Sequence, residues 1–251
     1  MTATIDRTTP IGSIAAELAA CLPVFDRHGL DYCCHGQRSL AEACAAAGVA
    51  VERVLEEIRA ASQRPQPKHD QDWAAATMSE LADHIESTHH ARARETFARL
   101  RSLVPRVAAA HAAGHPELVA LAQAVSRLDE DMQDHMVREE RVLFPWLRRL
   151  DRKSELHTGP PWSVRRPISC MEHDHVEVAA ALARIRELTA DYCVPPDACG
   201  SYRAMIELLR DLEQDTRIHI HKENNILFPA GARAEAATPG LSSHRIPDIG
   251  V

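Results

Sequence analysis

Along the C-terminal two-thirds of the chain, apolar residues recur at steps of three and four, the period of one helix face. One stripe reads Leu128, Met132, His135, Glu139, Val142, Trp146, and another reads Met205, Leu208, Leu212, Thr216, His219, Glu223, Ile226. A third passes through Met171, His175, Val178, Leu182 and Ile185. Runs rich in Val, Ile, Thr or Tyr, which would signal strands, are missing. The pattern predicts four long helices, A to D, over 77–104 (stopping before Pro105), 116–150, 168–192 and 201–228. Helices of ~25 residues, each ~37 Å long, joined by short loops, predict an all-α protein built on an antiparallel four-helix bundle.

The bundle is expected to occupy residues 73–230. Ahead of it, residues 1–62 break into short helices punctuated by Pro23, Gly29, Gly36 and Gly48, with Ser39 and Glu42 spaced as a capping box. The polar, proline-containing stretch 63–72 reads as a linker, and the small polar residues of 231–251 as a disordered tail.

Two of the stripes carry polar groups where an apolar residue belongs. Residues 135–145, HMVREERVLFP, and 219–229, HIHKENNILFP, both fit H-x-x-x-E-x-x-x-L-F-P without a gap. Positions i and i+4 share a helix face, so His135 points with Glu139 and His219 with Glu223. A buried, ionised carboxylate without a partner is very costly, and two add mutual repulsion. A pair of metal ions removes both problems. Helices A and C should complete the set. On helix C, His175 falls on the apolar stripe and His173, about 200° away, falls off it. On helix A, His84 stands three residues after Leu81 and is preferred, with His90 as the alternative. His221, about 200° from His219, should face solvent.

The expected ligands are therefore His84, His135, Glu139, His175, His219 and Glu223. Mixed imidazole and carboxylate donors disfavour Mg and Ca. The inward stripes hold no cysteine, which disfavours a thiolate zinc site or an iron–sulfur cluster. Two histidines per ion with two bridging glutamates fit a pair of non-haem iron ions, with manganese the competitor. An oxo or hydroxo bridge would leave one position open on each ion. No further acid–base constellation accompanies the motifs, so an iron donor or a small-ligand binder is expected ahead of a turnover enzyme, with weak reduction of nitric oxide or peroxide, protons shuttled by the carboxylates, as the enzymatic alternative.

Composition narrows the partners. The chain of 251 residues has a net charge of −7, which argues against nucleic acid and anionic membrane as partners. No stretch reaches the ~20 apolar residues needed to span a bilayer. The first residues, MTATIDRTTPIGS, lack signal-peptide features, so a cytoplasmic protein is expected. Seven cysteines suggest no disulfide framework. The adjacent pair Cys33 and Cys34, in the turn DYCCHG, reads either as a reactive or metal-donating thiol pair or as two small turn residues packed under the domain.

The bundle residues resemble the haemerythrin-like family. The chain from about residue 11 to 230 resembles the iron–sulfur cluster repair di-iron proteins, the repair-of-iron-centres family. The resemblance rests on DYCC at 31–34, LADHI around His84, the two LFP motifs and the stretch from Met171 to Cys199 ending in PPDAC. It implies the same six ligands and two iron ions. It departs at helix C, where the family's Glu-His-Asp occurs two residues early as Glu172-His173-Asp174, which keeps His173 as an alternative to His175. It further implies a role in nitrosative and oxidative stress: restoring damaged clusters in client iron–sulfur proteins, with Cys33 and Cys34 in redox or iron-handling work. Binding of nitric oxide or dioxygen is the alternative, and a homodimer is compatible with the family.

Overall fold

The computed structural model describes residues 5–63, 72–152 and 163–238, which form helices and turns with no β-strand among them. Most of the expected linker (64–71) and the end of the expected tail (239–251) lie outside the described residues. The N-terminal unit packs α1 (Ile11–Glu17), α2 (Leu22–Arg27), α3 (Leu40–Ala47) and α4 (Val51–Ser62) around buried Phe25, Tyr32, Leu40, Val54 and Ile58. Helix α3 begins at the expected capping box. Ser39 Oγ accepts from the Glu42 N–H at 3.3 Å, and Glu42 Oε2 accepts from the Ser39 N–H at 2.8 Å. Two otherwise open amide donors are thereby satisfied.

Four rods follow. Rod A comprises α5 (Met78–His84), a π-helical turn (Ile85–His90) and α6 (Ala91–His111). Rod B comprises α7 (Glu117–Arg138), a π turn (Glu139–Leu143) and α8 (Phe144–Arg152). Rod C is α9 (Arg165–Leu188), and rod D is α10 (Gly200–Lys222), a π turn (Glu223–Leu227) and α11 (Phe228–Ala236). Cross-links give the directions. Rods A and B meet at Asp83–Arg148 and Arg101–Asp129, and rods B and C at His135–His175 and Arg138–Cys170. Rods C and D meet at His175–Glu223 and Arg186–Glu213, and rods A and D at His89–Asp215 and Arg106–Ser201. Numbers rise along one rod of each pair as they fall along the other, so neighbours are antiparallel.

The interior has two apolar bodies. One joins the N-terminal unit to the Phe97, Leu128, Leu182 and Leu212 level of the bundle. The other gathers Leu81, Ile85, Phe144, Leu147, Met171 and Phe228. Between them lies a band of buried histidines and glutamates.

Several expectations change. Rod A runs through Pro105 to His111, because Pro105 lies on the exposed face, where the carbonyl it leaves unbonded is open to water. Rod C stops at Leu188, not at 192. Ala190, Asp191 and Tyr192 turn the chain with φ of 47°, 60° and 58°, and the Arg210 guanidinium donates to the Tyr192 carbonyl at 2.6 Å. Rod D continues to Ala236, so residues 231–236 are helix rather than tail. Glu235 secures them by accepting from the Val164 N–H at 2.7 Å, at the start of rod C. Val142 is 45% exposed and Ile226 only half-buried, while Leu143 and Leu227 are buried in their place. Each pair sits in a π turn, where the extra residue shifts the stripe by one position.

The N-terminal unit docks on rod D. The Asn225 amide donates to the Tyr32 carbonyl at 3.0 Å, and its side chain lies between Gly12 and Gly36. A Cβ on either glycine would stand 2.1 Å from Asn225 Oδ1. His221, expected to face solvent, is buried in this contact, with its ring 5.5 Å from that of Tyr32. Arg217 donates to the Leu30 carbonyl at 3.0 Å. Gly36→Ala should loosen this docking while the bundle stays folded, at a cost of about 1–3 kcal/mol typical of overpacking. Limited proteolysis should then cut residues 5–63 faster than in the parent, with helicity by circular dichroism nearly unchanged.

Candidate metal centre

Glu139 and Glu223 are fully buried and stand at the start of the π turns of rods B and D. Their motif histidines lie one α turn earlier: His135 Nε2 is 3.2 Å from Glu139 Oε2, and His219 Nε2 is 3.0 Å from Glu223 Oε1. Rod A brings His90 Nε2 to 3.3 Å from Glu139 Oε2, and rod C brings His175 Nε2 to 3.1 Å from Glu223 Oε2. Two sets of four result: His90, Glu139, His219, Glu223 and His135, Glu139, His175, Glu223. Within each set the donor atoms lie within 4.8 Å of one another. Both glutamates belong to both sets, as carboxylates bridging two ions would.

The donor chemistry fits cations. His90 Nε2 faces His219 Nε2 at 3.2 Å, and His135 Nε2 faces His175 Nε2 at 3.2 Å. Two facing ring nitrogens can share at most one proton between them, and lone pairs converging this way are what a metal ion accepts. Both oxygens of Glu139 and Oε2 of Glu223 are buried without a hydrogen bond of proper geometry, although ring nitrogens stand 3.1–3.3 Å away. Buried carboxylate oxygens left so are costly unless a cation takes them.

Electrostatics agree. Burial pushes both carboxyls up, and at Glu139 the nearby Glu223 adds to it, but the surrounding histidines outweigh this and hold both ionised, Glu223 well below the usual carboxylate range. Burial opposes charge on His135, yet Glu139 and Asp174 overcome it and hold its proton up to about 10. His90 is raised in the same manner, against burial, by Glu139, Glu223 and Glu140. Burial lowers His219. Metal and protons therefore compete for the same nitrogens.

A shell of supports orients the donors. His90 Nδ1 is 2.7 Å from Glu140 Oε1, and Glu140 is paired with Arg94. His175 Nδ1 donates to Asn224 Oδ1 at 2.8 Å, and the Asn224 amide donates to the Cys33 carbonyl at 3.0 Å. Glu140 and Asn224 each follow a motif glutamate. His135 Nδ1 lies 3.4 Å from Asp174, which Arg138 holds. The Phe of each LFP covers a histidine of the preceding rod: Phe144 stacks on His90 at 5.8 Å and Phe228 on His175 at 5.9 Å. The halves A–B and C–D thus repeat one arrangement.

Of the residues singled out from sequence, His135, Glu139, His175, His219 and Glu223 come together here. His173 is exposed and outside. His84 is a correction: it lies apart from both sets, stacked on Trp73 at 4.0 Å, with Nε2 2.7 Å from Lys222 Nζ. Burial and then Lys222 push its pKa down to about 4. The π turn Ile85–His90 causes the change, since its five-residue spacing carries His90 onto the Leu81–Ile85 face. The signal was present: stepping back from Val104 through Leu100, Phe97 and Ala93 arrives at His90. The supports Glu140, Asp174 and Asn224 each adjoin a donor in sequence, but no periodicity distinguishes them from solvated polar residues.

Cys33 and Cys34 are free thiols with Sγ atoms 3.8 Å apart, outside the two sets. Contact with Cys34 and burial raise the Cys33 thiol. Cys34 Sγ donates to the His175 carbonyl at 3.5 Å, so the thiol turn rests on the backbone of a donor residue.

Paired histidines and shared glutamates inside a four-helix bundle define a haemerythrin-type cation site, and the chain belongs to that family: residues 81–231 match the hemerythrin HHE cation binding domain. Residues 7–62 match a domain of unknown function (DUF542). Most of the chain is similar to the iron-sulfur cluster repair protein YtfE. The protein of that name from Escherichia coli O157:H7 is 32% identical over 229 residues, covering 91% of this chain and 99% of that one. The one from Shigella boydii serotype 4 (strain Sb227) is 31% identical with the same coverage. Among the described residues no helix is long and apolar enough to cross a membrane.

The geometry separates the two rod A histidines. His90→Ala should lower the metal bound per chain, whereas His84→Ala should leave it near the parental value; elemental analysis of both variants decides. Glu139→Leu and Glu223→Leu should lose metal yet keep parental helicity, since leucine completes the apolar stripe. Full metal content in these variants would refute the assignment.

Proposed function

We propose that His90, His135, Glu139, His175, His219 and Glu223 hold two non-haem iron ions, and that the protein supplies iron to damaged clusters of client iron–sulfur proteins under nitrosative and oxidative stress. The buried pair of shared glutamates with four imidazoles carries this reading. The names of the similar proteins from E. coli and S. boydii support it. When bound, the ions supply releasable iron and positions open to small ligands, because each set offers only four protein donors.

The chain's own residues do the rest. Glu139 and Glu223, held ionised, would offset part of the charge of two bound ions and could be shared between them. Asn224, Glu140 and Asp174 aim the imidazoles, and the phenyl rings of Phe144 and Phe228 keep water from the faces of His90 and His175. With four imidazoles and two carboxylates, the protein places fewer negative charges on the ions than a carboxylate-rich site does. That weakens its hold on oxidised iron and suits a donor. We place this work in the cytoplasm; the seven free cysteines suit a reducing compartment.

Mixing the iron-loaded protein with a nitric-oxide-damaged cluster enzyme should restore that enzyme's activity beyond what the same amount of free ferrous iron achieves. Equal recovery would overturn the reading. The open positions favour a second reading, nitric oxide binding. Tight, reversible nitrosyl formation with no loss of iron would select it. In either case bound metal should fall as pH drops, because protonated imidazoles cannot ligate and His90 and His135 already favour their protons. Metal content after dialysis across pH 8 to 5 measures this.

A further inference from the structure

At the opposite end of rods A and D stands a second chemical grouping. Cys199 precedes α10 as its N-cap residue and is exposed. His111, the last residue of α6, brings Nε2 to 3.1 Å from Cys199 Sγ. The imidazole is positioned by neighbours: its ring lies 5.4 Å from that of Tyr202 and 6.5 Å from that of His115. His115 is itself bonded to Glu117 and Asp197. The Tyr202 N–H, then His111, and after them the Ser201 N–H pull the thiol below its ordinary range. The other shifted thiols, Cys21, Cys33 and Cys44, all move the opposite way through burial or a neighbouring thiol. A thiol at a helix N-terminus and a ring nitrogen within proton-transfer distance are the parts of an activated nucleophile. The grouping is separate from the metal centre: His219 follows Cys199 by twenty residues, ~30 Å along the rod at 1.5 Å per residue.

We propose that Cys199 and His111 form a reactive thiol site that takes a low-molecular-weight disulfide. His111 Nε2 accepts the Cys199 proton, and the thiolate attacks one sulfur of the incoming disulfide. The old S–S bond breaks as a new one forms between Cys199 and that sulfur. The departing thiolate takes the proton back from His111. Cys199 is oxidised, half of the disulfide is reduced, and no other reagent is needed.

The test uses the full-length protein and two probes at neutral pH. Brief exposure to limiting iodoacetamide, followed by peptide mapping, should label Cys199 about tenfold faster than exposed Cys170 and Cys193. Oxidised glutathione should form its mixed disulfide first at Cys199. His111→Phe keeps a ring against Tyr202 and removes the nitrogen; it should slow both reactions severalfold at Cys199 and leave Cys170 unchanged. Labelling of Cys170 or Cys193 as fast as Cys199 in the parent protein would overturn the proposal whether or not the variant folds. An unchanged Cys199 rate in a folded His111→Phe would overturn the role of the histidine.

Discussion

The bundle is arranged around a repulsion. Glu139 and Glu223 are buried, ionised and side by side, and each such charge costs several kcal/mol to take from water. No apolar packing removes that cost; only positive charge at close range does. Four imidazole nitrogens from four different rods therefore have to meet at one level. The two apolar bodies on either side supply the stabilisation that such a polar layer cannot.

Symmetry makes this arrangement economical in sequence. Each half contributes a histidine from its first rod and an H-x-x-x-E helix from its second, and each second rod ends the site with a phenylalanine laid on the first rod's histidine. The Leu-Phe-Pro ending is thus part of the site's wall. The supports behind the imidazoles follow the repeat only partly. Glu140 and Asn224 stand at matching places but differ in charge, and the place of Asp174 in one half is taken by His89 in the other. The halves bind alike and are backed differently.

Much of this was legible before any coordinate. The two motifs announced their helix faces, and the apolar period placed His175 over His173 because α9 is a regular helix throughout its length. The errors cluster where regularity ends. A wheel at a fixed angle per residue cannot follow a π turn, so it favours His84 over His90 and turns Val142 and Ile226 inward. Proline marked a stop at 105 only under the assumption that both helix faces matter equally. The burial of His221 was invisible because rod D was read as a two-sided helix, core and solvent, whereas the N-terminal unit covers what would have been its solvent side.

That covering unit reaches the residues of the centre through the Asn224 amide and the Cys34 thiol. Asn224 holds the imidazole of His175 with one end and the Cys33 carbonyl with the other. The placement of the thiol turn and the aim of a donor ring are consequently one mechanical variable. A displacement of residues 31–34 would take the acceptor from the Asn224 amide and leave the side chain that aims the His175 ring tethered at one end, so the seating of the N-terminal unit sets how firmly that nitrogen is held.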